Sequence, residues 1–152
     1  MRIALFEPDI AGNVGTILRT AACLGIPVDL IEPMGFPWSE RALARSGMDY
    51  AVQAEIARHV DWATFEARIP GRLVLFTTRA SVPLPKARFL EDDTLLLGAE
   101  GSGVPGFVHD RADLRVRIPL LAGMRSLNVA VAAGIGIAEG LRQTGGWPEG
   151  ND

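Results

Sequence analysis

Cysteine and histidine are scarce in this chain of 152 residues, and their scarcity excludes several kinds of site. A single cysteine, Cys23, allows no internal disulfide framework and no cysteine zinc cluster. Cys23 falls within an apolar helical pattern, which favours a place in the core over a role as a nucleophile. The two histidines, His59 and His109, have no metal-ligand spacing around them, so we expect no metal site.

Long apolar runs are also missing from the sequence. No run reaches the ~18 residues that a membrane-spanning helix needs, and the apolar start at residues 1–6 is too short for a signal peptide. The hydrophobic content of 48% and the mixture of charges are typical of a globular protein, and 152 residues fit one domain. We therefore expect a cytoplasmic protein with no membrane partner.

The chain also lacks the excess of positive charge that marks many nucleic-acid-binding proteins, because its net charge is -3 at pH 7. Of its 15 basic residues Lys86 is the only lysine, and the others are arginines. Arginine suits two-pronged contacts with phosphate or carboxylate, but a genomic bias toward arginine explains the same composition. Composition alone therefore leaves the partner open.

Short strand patterns alternate with helical patterns along the chain. The predicted strands are residues 2–6, 28–31, 51–56, 73–77, 94–97 and 114–118. Predicted helices cover residues 13–24 with Asn13 as N-cap, 62–68 after an Asp61 cap, a segment from near Pro105, and 128–143; Ser39 caps a further short helix with Arg41 and Arg45. This alternation predicts a single α/β domain with a mostly parallel sheet and helices on both faces.

Ligands of such sheets bind beyond the carboxyl ends of the strands, so the loops there carry the candidate site. After the first strand, Asn13 and Gly15 allow a tight turn into a helix whose N–H groups favour anions, with Arg19 further along. The alternative is a capped helix with a surface arginine. No G-x-G-x-x-G fingerprint follows the first strand, and no Walker lysine or G-x-S-x-G elbow is present, which argues against several common enzyme classes.

Two later loops are equally distinctive. Residues 98–105 contain three glycines in six positions, which allows the backbone to wrap closely around a ligand or simply to turn before a helix. Residues 117–128 lead from a strand into the last helix, which Ser126 or Asn128 can cap. Each loop taken alone is open to a purely structural explanation.

In this order, the three stretches spell N-x-G-x-x-x-R, G-x-E-x-x-G and I-P-(x)n-S-L-N. Together they resemble the motifs of the SPOUT superfamily of RNA methyltransferases, in the branch that methylates the ribose 2'-hydroxyl. Residues 31–36 and 47–50 further resemble the short, single-domain subfamily that methylates the wobble ribose of tRNA. The resemblance spans residues 2–143, so we expect a SPOUT domain at 1–144 and a polar tail at 145–152.

The resemblance implies a deep trefoil knot in the last three strand–loop units, with S-adenosylmethionine bound in the knotted loops. It implies the following cofactor-binding residues: Phe76, Gly98, Ala99, Glu100, Ile118, Leu120, Ser126 and Leu127. It also implies catalytic roles for Arg19, Ser126 and Asn128. Because arginine stays protonated in proteins, it is a poor general base, and we expect Arg19 to stabilise the forming alkoxide.

As partners, the resemblance implies a tRNA anticodon stem-loop and a second copy of the chain, paired through the first and last helices. Arg19, Arg41, Arg45 and Arg125 would contact the RNA. Alternatives are 2'-O-methylation at another tRNA or rRNA site, a non-catalytic RNA-binding homologue, or an ordinary α/β nucleotide-binding enzyme. A non-catalytic homologue would be expected to lose Arg19, Glu100 or Asn128, and all are present.

Overall fold

A seven-stranded, wholly parallel sheet forms the centre of the structure, a computed structural model that describes residues 1–39 and 54–150. Its strands, in the order β3-β2-β1-β6-β4-β7-β5, are β1 (Arg2–Phe6), β2 (Val28–Ile31), β3 (Ile56–His59), β4 (Leu73–Phe76), β5 (Val82–Pro83), β6 (Thr94–Leu97) and β7 (Leu114–Arg117). All residues of β2 and β6 are buried, as expected for strands of a sheet that is covered on both faces.

Helices cover both faces of the sheet, which confirms the predicted fold class. Helices α1 (Ala11–Leu24) and α4 (Val129–Thr144) share one apolar cluster with alternate strand residues such as Ile3 and Leu95. The shorter helices α2 (Trp62–Glu66) and α3 (Gly106–Arg111) pack on the opposite face, where Phe65 and Val108 meet Leu75. A 3-10 turn at Leu84–Lys86 follows β5.

Several predicted boundaries are corrected by the structure. The third strand is β3, which starts at residue 56, where the predicted strand at 51–56 ends. Strands β4 and β7 and helix α2 end one or two residues early, and β5 and the 3-10 turn were not predicted. The Asp61 cap is confirmed, because its carboxylate accepts the Thr64 N–H at 2.8 Å. The helix proposed to carry Arg41 and Arg45 lies outside the described residues.

Cys23 is not in the core, contrary to the sequence prediction, but exposed on α1. The buried positions of this helix include Val14, Ile17, Leu18 and Ala21. At about 100° per residue, Cys23 lies about 200° around the helix from Ala21 and therefore faces away from the sheet. The apolar surroundings of Cys23 in the sequence belong to the neighbouring face.

Two further expectations stay predictions at this point: the deep knot, and the division between a domain at 1–144 and a tail at 145–152. In the described part of the chain, no helix is both long and apolar enough to cross a membrane.

A buried polar cluster joins the first three strands in space, although apolar residues surround it. The Asp29 carboxylate accepts from Arg2 Nε at 2.8 Å and lies 2.7 Å from His59 Nε2. The side chains of Asp29 and His59 are only 6% and 2% exposed, and Nδ1 of His59 has no hydrogen-bond partner. The hydrogen bond to Asp29 raises the pKa of Arg2. Asp29 thus holds β1 and the edge strand β3 to β2.

We expect Asp29→Ala to lower the free energy of unfolding by about 3 to 5 kcal/mol, because it leaves the buried His59 and the partly buried Arg2 without their shared partner. Urea denaturation followed by circular dichroism measures the change. Glu91→Ala, which removes an exposed carboxylate, serves as the control and should change stability by less than about 0.5 kcal/mol. Equal effects of the two substitutions would contradict a structural role for this cluster.

Candidate active site

A cavity of about 490 Å³ opens at the carboxyl ends of β4, β6 and β7, a volume typical of small-molecule sites. The start of α1, the loops after the three strands, part of α3 and the start of α4 surround it. Its described lining is Ile10, Asn13, Phe76, Thr77, Thr78, Arg79, Leu97, Gly98, Ala99, Glu100, Ser102, Gly103, Val104, His109, Val116, Ile118, Leu120, Ser126, Leu127, Asn128, Val129 and Ala132.

The structure brings all eight predicted cofactor-binding residues to this cavity: Phe76, Gly98, Ala99, Glu100, Ile118, Leu120, Ser126 and Leu127. Asn128, predicted to be catalytic, lines it as well. These residues come from three loops that are up to 52 positions apart in the sequence, from 76 to 128. The parallel sheet places them together because its strands all end at the same edge.

Of the four predicted RNA-binding arginines, the structure describes Arg19 and Arg125, and neither is among the described lining residues of the cavity. Arg19 is exposed on α1 and lies six residues beyond Asn13, which corresponds to about 9 Å along the helix and about 240° around it. Arg125 is exposed in the loop before α4, next to the lining residue Ser126. Arg41 and Arg45 lie outside the described residues. Within one chain, Arg19 and Arg125 therefore lie outside the described lining of the cavity.

A chain of hydrogen bonds links the three motifs around the cavity. Glu100 Oε1 accepts from Asn13 Nδ2 at 2.9 Å, and Asn13 Oδ1 accepts from Asn128 Nδ2 at 2.9 Å. Glu100 Oε2 accepts the Asp9 N–H at 2.8 Å, and the Asp9 carboxylate accepts the Gly101 N–H at 2.9 Å. The first loop and the glycine-rich loop thus hold each other through reciprocal contacts.

Asn13 has a different local role from the one that the sequence suggested, whereas Asn128 caps the last helix, as one of the two predicted alternatives has it. Asn13 lies inside α1 and is not its N-cap, a position that Ile10 occupies without a side-chain hydrogen bond. Asn128 is the N-cap of α4, and its Oδ1 accepts the N–H groups of Ala130 at 2.8 Å and Val131 at 3.3 Å. Both polar atoms of the Asn128 side chain, Nδ2 and Oδ1, are therefore engaged in hydrogen bonds within the chain, which favours a positioning role for this residue.

Gly98 is required by the fold of its own loop. A Cβ atom at Gly98 would lie 2.6 Å from the carbonyl carbon of Gly103, inside the chain itself. The loop folds back here, because Ala99 and Gly103 exchange backbone hydrogen bonds of 3.0 and 2.8 Å. The glycine loop is therefore a closed, internally bonded turn, and it presents its backbone to the cavity in a fixed shape.

Sequence reasoning missed the other polar residues of the cavity, namely Thr77, Thr78, Arg79, Ser102 and His109. The first three directly follow β4, so the rule that ligands bind beyond strand ends points to them. His109 was considered only as a metal ligand. Partial burial lowers the pKa of His109, and the nearby charges of Arg79 and Arg115 lower it further.

The sequence profile of the SpoU rRNA Methylase family matches residues 1–138 of the chain. The chain belongs to this family. It is 51% identical over 146 residues to a protein of Beijerinckia indica, and the match covers 94% of this chain and 91% of that protein. An Escherichia coli K12 protein is 36% identical over 148 residues, with 95% and 94% covered. Both relatives are named tRNA (cytidine(34)-2'-O)-methyltransferase.

Solved structures of SpoU-type proteins have the same fold. One structure, from work on 2-OH methylation of C/U34 on tRNA, is 40% identical with a TM-score of 0.88, and the match covers 93% of this chain and 94% of that one. An AdoMet-bound rRNA methyltransferase from Sinorhizobium meliloti is 29% identical with a TM-score of 0.81, over 93% of this chain and 55% of that one. The SPOUT resemblance of the sequence is thereby confirmed.

We expect Gly98→Ala to weaken binding of S-adenosylhomocysteine at least about tenfold, because the added methyl group clashes with backbone that cannot move without opening the loop. Isothermal titration calorimetry measures the affinity. Gly106→Ala is the matched control, since a Cβ atom there meets nothing within 4 Å. Unchanged affinity in Gly98→Ala would show that the shape of this loop does not matter for the cavity.

Proposed function

We propose that this chain is an S-adenosylmethionine-dependent enzyme that methylates the ribose 2'-hydroxyl of nucleotide 34, the wobble position of tRNA. The observation that carries the proposal is the identity of 36% and 51% to named tRNA (cytidine(34)-2'-O)-methyltransferases over nearly the whole length of both chains. The same family motifs surround the cavity. Its substrate nucleotide is a cytidine or a modified uridine, in keeping with the C/U34 activity of the similar structure.

The cavity fits the proposed cofactor. Apolar side chains of Leu97, Val116 and Ile118 line it beside polar backbone of the glycine loop, and such a mixture suits a nucleoside. When bound, the sulfonium group supplies an activated methyl group, so the protein's contribution is to position the two reactants and to stabilise charge. The AdoMet-bound Sinorhizobium meliloti neighbour supports this assignment.

The residues around the cavity have different roles, which depend on where each one lies. Phe76, Ile118 and Leu120 provide apolar walls, and Gly98 and Ala99 provide backbone groups. Glu100 contributes by holding its loop, because its two oxygens accept from Asp9 and Asn13. Ser126 and Leu127 close the cofactor site, and Ser126 and Asn128 orient the groups that react.

Arg19 is the proposed catalytic arginine, and its guanidinium group stabilises the negative charge that develops on the ribose oxygen. Because Arg19 does not line the cavity of its own chain, we place it at the cavity of a second copy, in a homodimer formed through α1 and α4. Two-fold symmetric pairing of this kind is the commonest form of oligomer and gives both cavities an arginine.

The RNA partner is the anticodon stem-loop, in which an unpaired nucleotide exposes its ribose to a small site. Arg41, Arg45 and Arg125 contact its phosphates together with Arg19. Because the net charge is -3, RNA binding depends on these few arginines and weakens as the salt concentration rises. An enzyme of tRNA maturation works in the cytoplasm, where we place this protein.

Incubation of the purified protein with unmodified tRNA and S-adenosylmethionine should add one methyl group to the ribose of nucleotide 34. Nuclease digestion followed by mass spectrometry locates the group, and the Gly98→Val variant serves as the inactive control. Methylation at another tRNA position, or of ribosomal RNA with nucleotide 34 untouched, would favour the alternative substrates. No transfer to any RNA would favour a non-catalytic RNA-binding protein.

Arg19→Ala should bind S-adenosylhomocysteine normally but lose most of its methyl transfer, whereas Gly98→Val should lose cofactor binding. Co-expression of the two variants should restore about a quarter of the wild-type activity, since half of randomly formed dimers are mixed and each has one complete site. Sedimentation analysis checks that dimers form. Failure of the mixture to exceed the sum of the separate variants would contradict an arginine that acts across the dimer.

A further inference from the structure

Two basic side chains line the cavity without a role in the proposed site. Of the described lining residues, only Arg79 and His109 are basic. Arg79 belongs to the turn that follows β4, and His109 lies on α3, so two separate elements bring them to the same cavity. Both Arg79 and His109 therefore lie beside the space that we assign to the cofactor.

The polar ends of these two side chains have no partners among the described residues. The guanidinium group of Arg79 makes no ion pair or hydrogen bond within residues 1–39 and 54–150, although its backbone N–H donates to Thr77 Oγ1 at 3.3 Å. The imidazole of His109 is likewise unpartnered there, whereas its backbone N–H donates to the Pro105 carbonyl at 3.2 Å and its own carbonyl oxygen accepts from Arg115 Nε at 2.7 Å. Many other arginines of the chain are paired with a carboxylate, as in Arg72–Asp93 and Arg111–Glu66.

The acidic side chain of the cavity does not satisfy them either. Glu100 is the only acidic residue in the described lining, and its oxygens accept from Asp9 and Asn13. The charges that act on His109 are those of Arg79 after β4, Arg115 on β7 and Asp110 on its own helix, so positive charge dominates at this point. A site of this kind favours an anionic ligand group.

We propose that Arg79 and His109 form a subsite for the carboxylate of the methionine tail of S-adenosylmethionine. This inference rests on the proposed function, which puts that cofactor in the cavity. The carboxylate is the only negatively charged group of the cofactor, and a guanidinium group matches its two oxygens. The subsite therefore fixes which end of the cavity holds the tail and leaves the apolar walls to the adenine.

A pair of ligands isolates this contact. S-Adenosylhomocysteine carries the amino-acid tail, whereas 5'-methylthioadenosine has the same adenosine and thioether but no carboxylate. Calorimetry should show that Arg79→Ala and His109→Ala each weaken binding of S-adenosylhomocysteine roughly tenfold to a hundredfold, as expected for a hydrogen bond to a charged group. Binding of 5'-methylthioadenosine should stay within about twofold of wild type. Arg68→Ala, an exposed arginine away from the cavity, should change neither affinity.

The imidazole of His109 provides a second readout that does not depend on activity. Nuclear magnetic resonance titration of the ring should show its pKa rising when S-adenosylhomocysteine binds, because a nearby carboxylate stabilises the protonated form. The pKa should not rise with 5'-methylthioadenosine. Loss of the His109 resonance in His109→Gln assigns the signal.

Other results would overturn the subsite. Equal loss of affinity for both ligands would place Arg79 and His109 against the adenosine. Unchanged affinity for both ligands, with a higher KM for tRNA, would assign the pair to an RNA phosphate. Failure of the wild-type protein to bind either ligand would instead contradict the proposed function itself, and the subsite with it.

Discussion

The carboxylate of Glu100 ties together the chain segments that make the cavity. It accepts from Asp9 before α1 and from Asn13 within α1, and Asn13 in turn bonds Asn128 at the start of α4. Three family motifs that are more than 110 residues apart from first to last are thus joined in one network. Charged acceptors make the stronger hydrogen bonds in proteins, so Glu100 is the natural centre of such a network.

Most strands of this fold could be predicted from the sequence, because they are short, mostly apolar runs that a glycine or polar loop ends, but β5 was not predicted and β3 starts where its predicted strand ends. The loops that carry the eight proposed cofactor residues were found for the same reason. The partners of Glu100 and Asn13 could not be predicted, since their contacts cross 87 sequence positions and no local pattern records them. The need for glycine at position 98 could not be predicted either, because a side chain there clashes with Gly103 only in the folded loop.

Some polar side chains of the structure have hydrogen-bond partners within the chain and others do not, and the two groups have different consequences. The Asp29 carboxylate is satisfied within the chain by Arg2 and His59 and holds three strands together, although Nδ1 of His59 has no partner. Around the cavity, Arg79 and His109 have no such partner within the described residues, while Glu100 is fully used. Satisfied polar groups make the framework rigid, and unsatisfied ones at its edge are available to a ligand.

Strands β1 and β6 pair in the middle of the sheet although they lie far apart in the sequence, and this separation affects how the protein folds. Strand β1 pairs with β6 on one side, and Arg2 lies opposite Thr94 in that ladder. During synthesis at about 5 to 20 residues per second, β1 leaves the ribosome roughly 5 to 20 s before β6 exists. The backbone edge of β1 that later pairs with β6 therefore stays unpaired during this time. Pairing between strands so far apart in the sequence makes folding slow. Newly made chains are accordingly most prone to aggregation before residue 97 has been added.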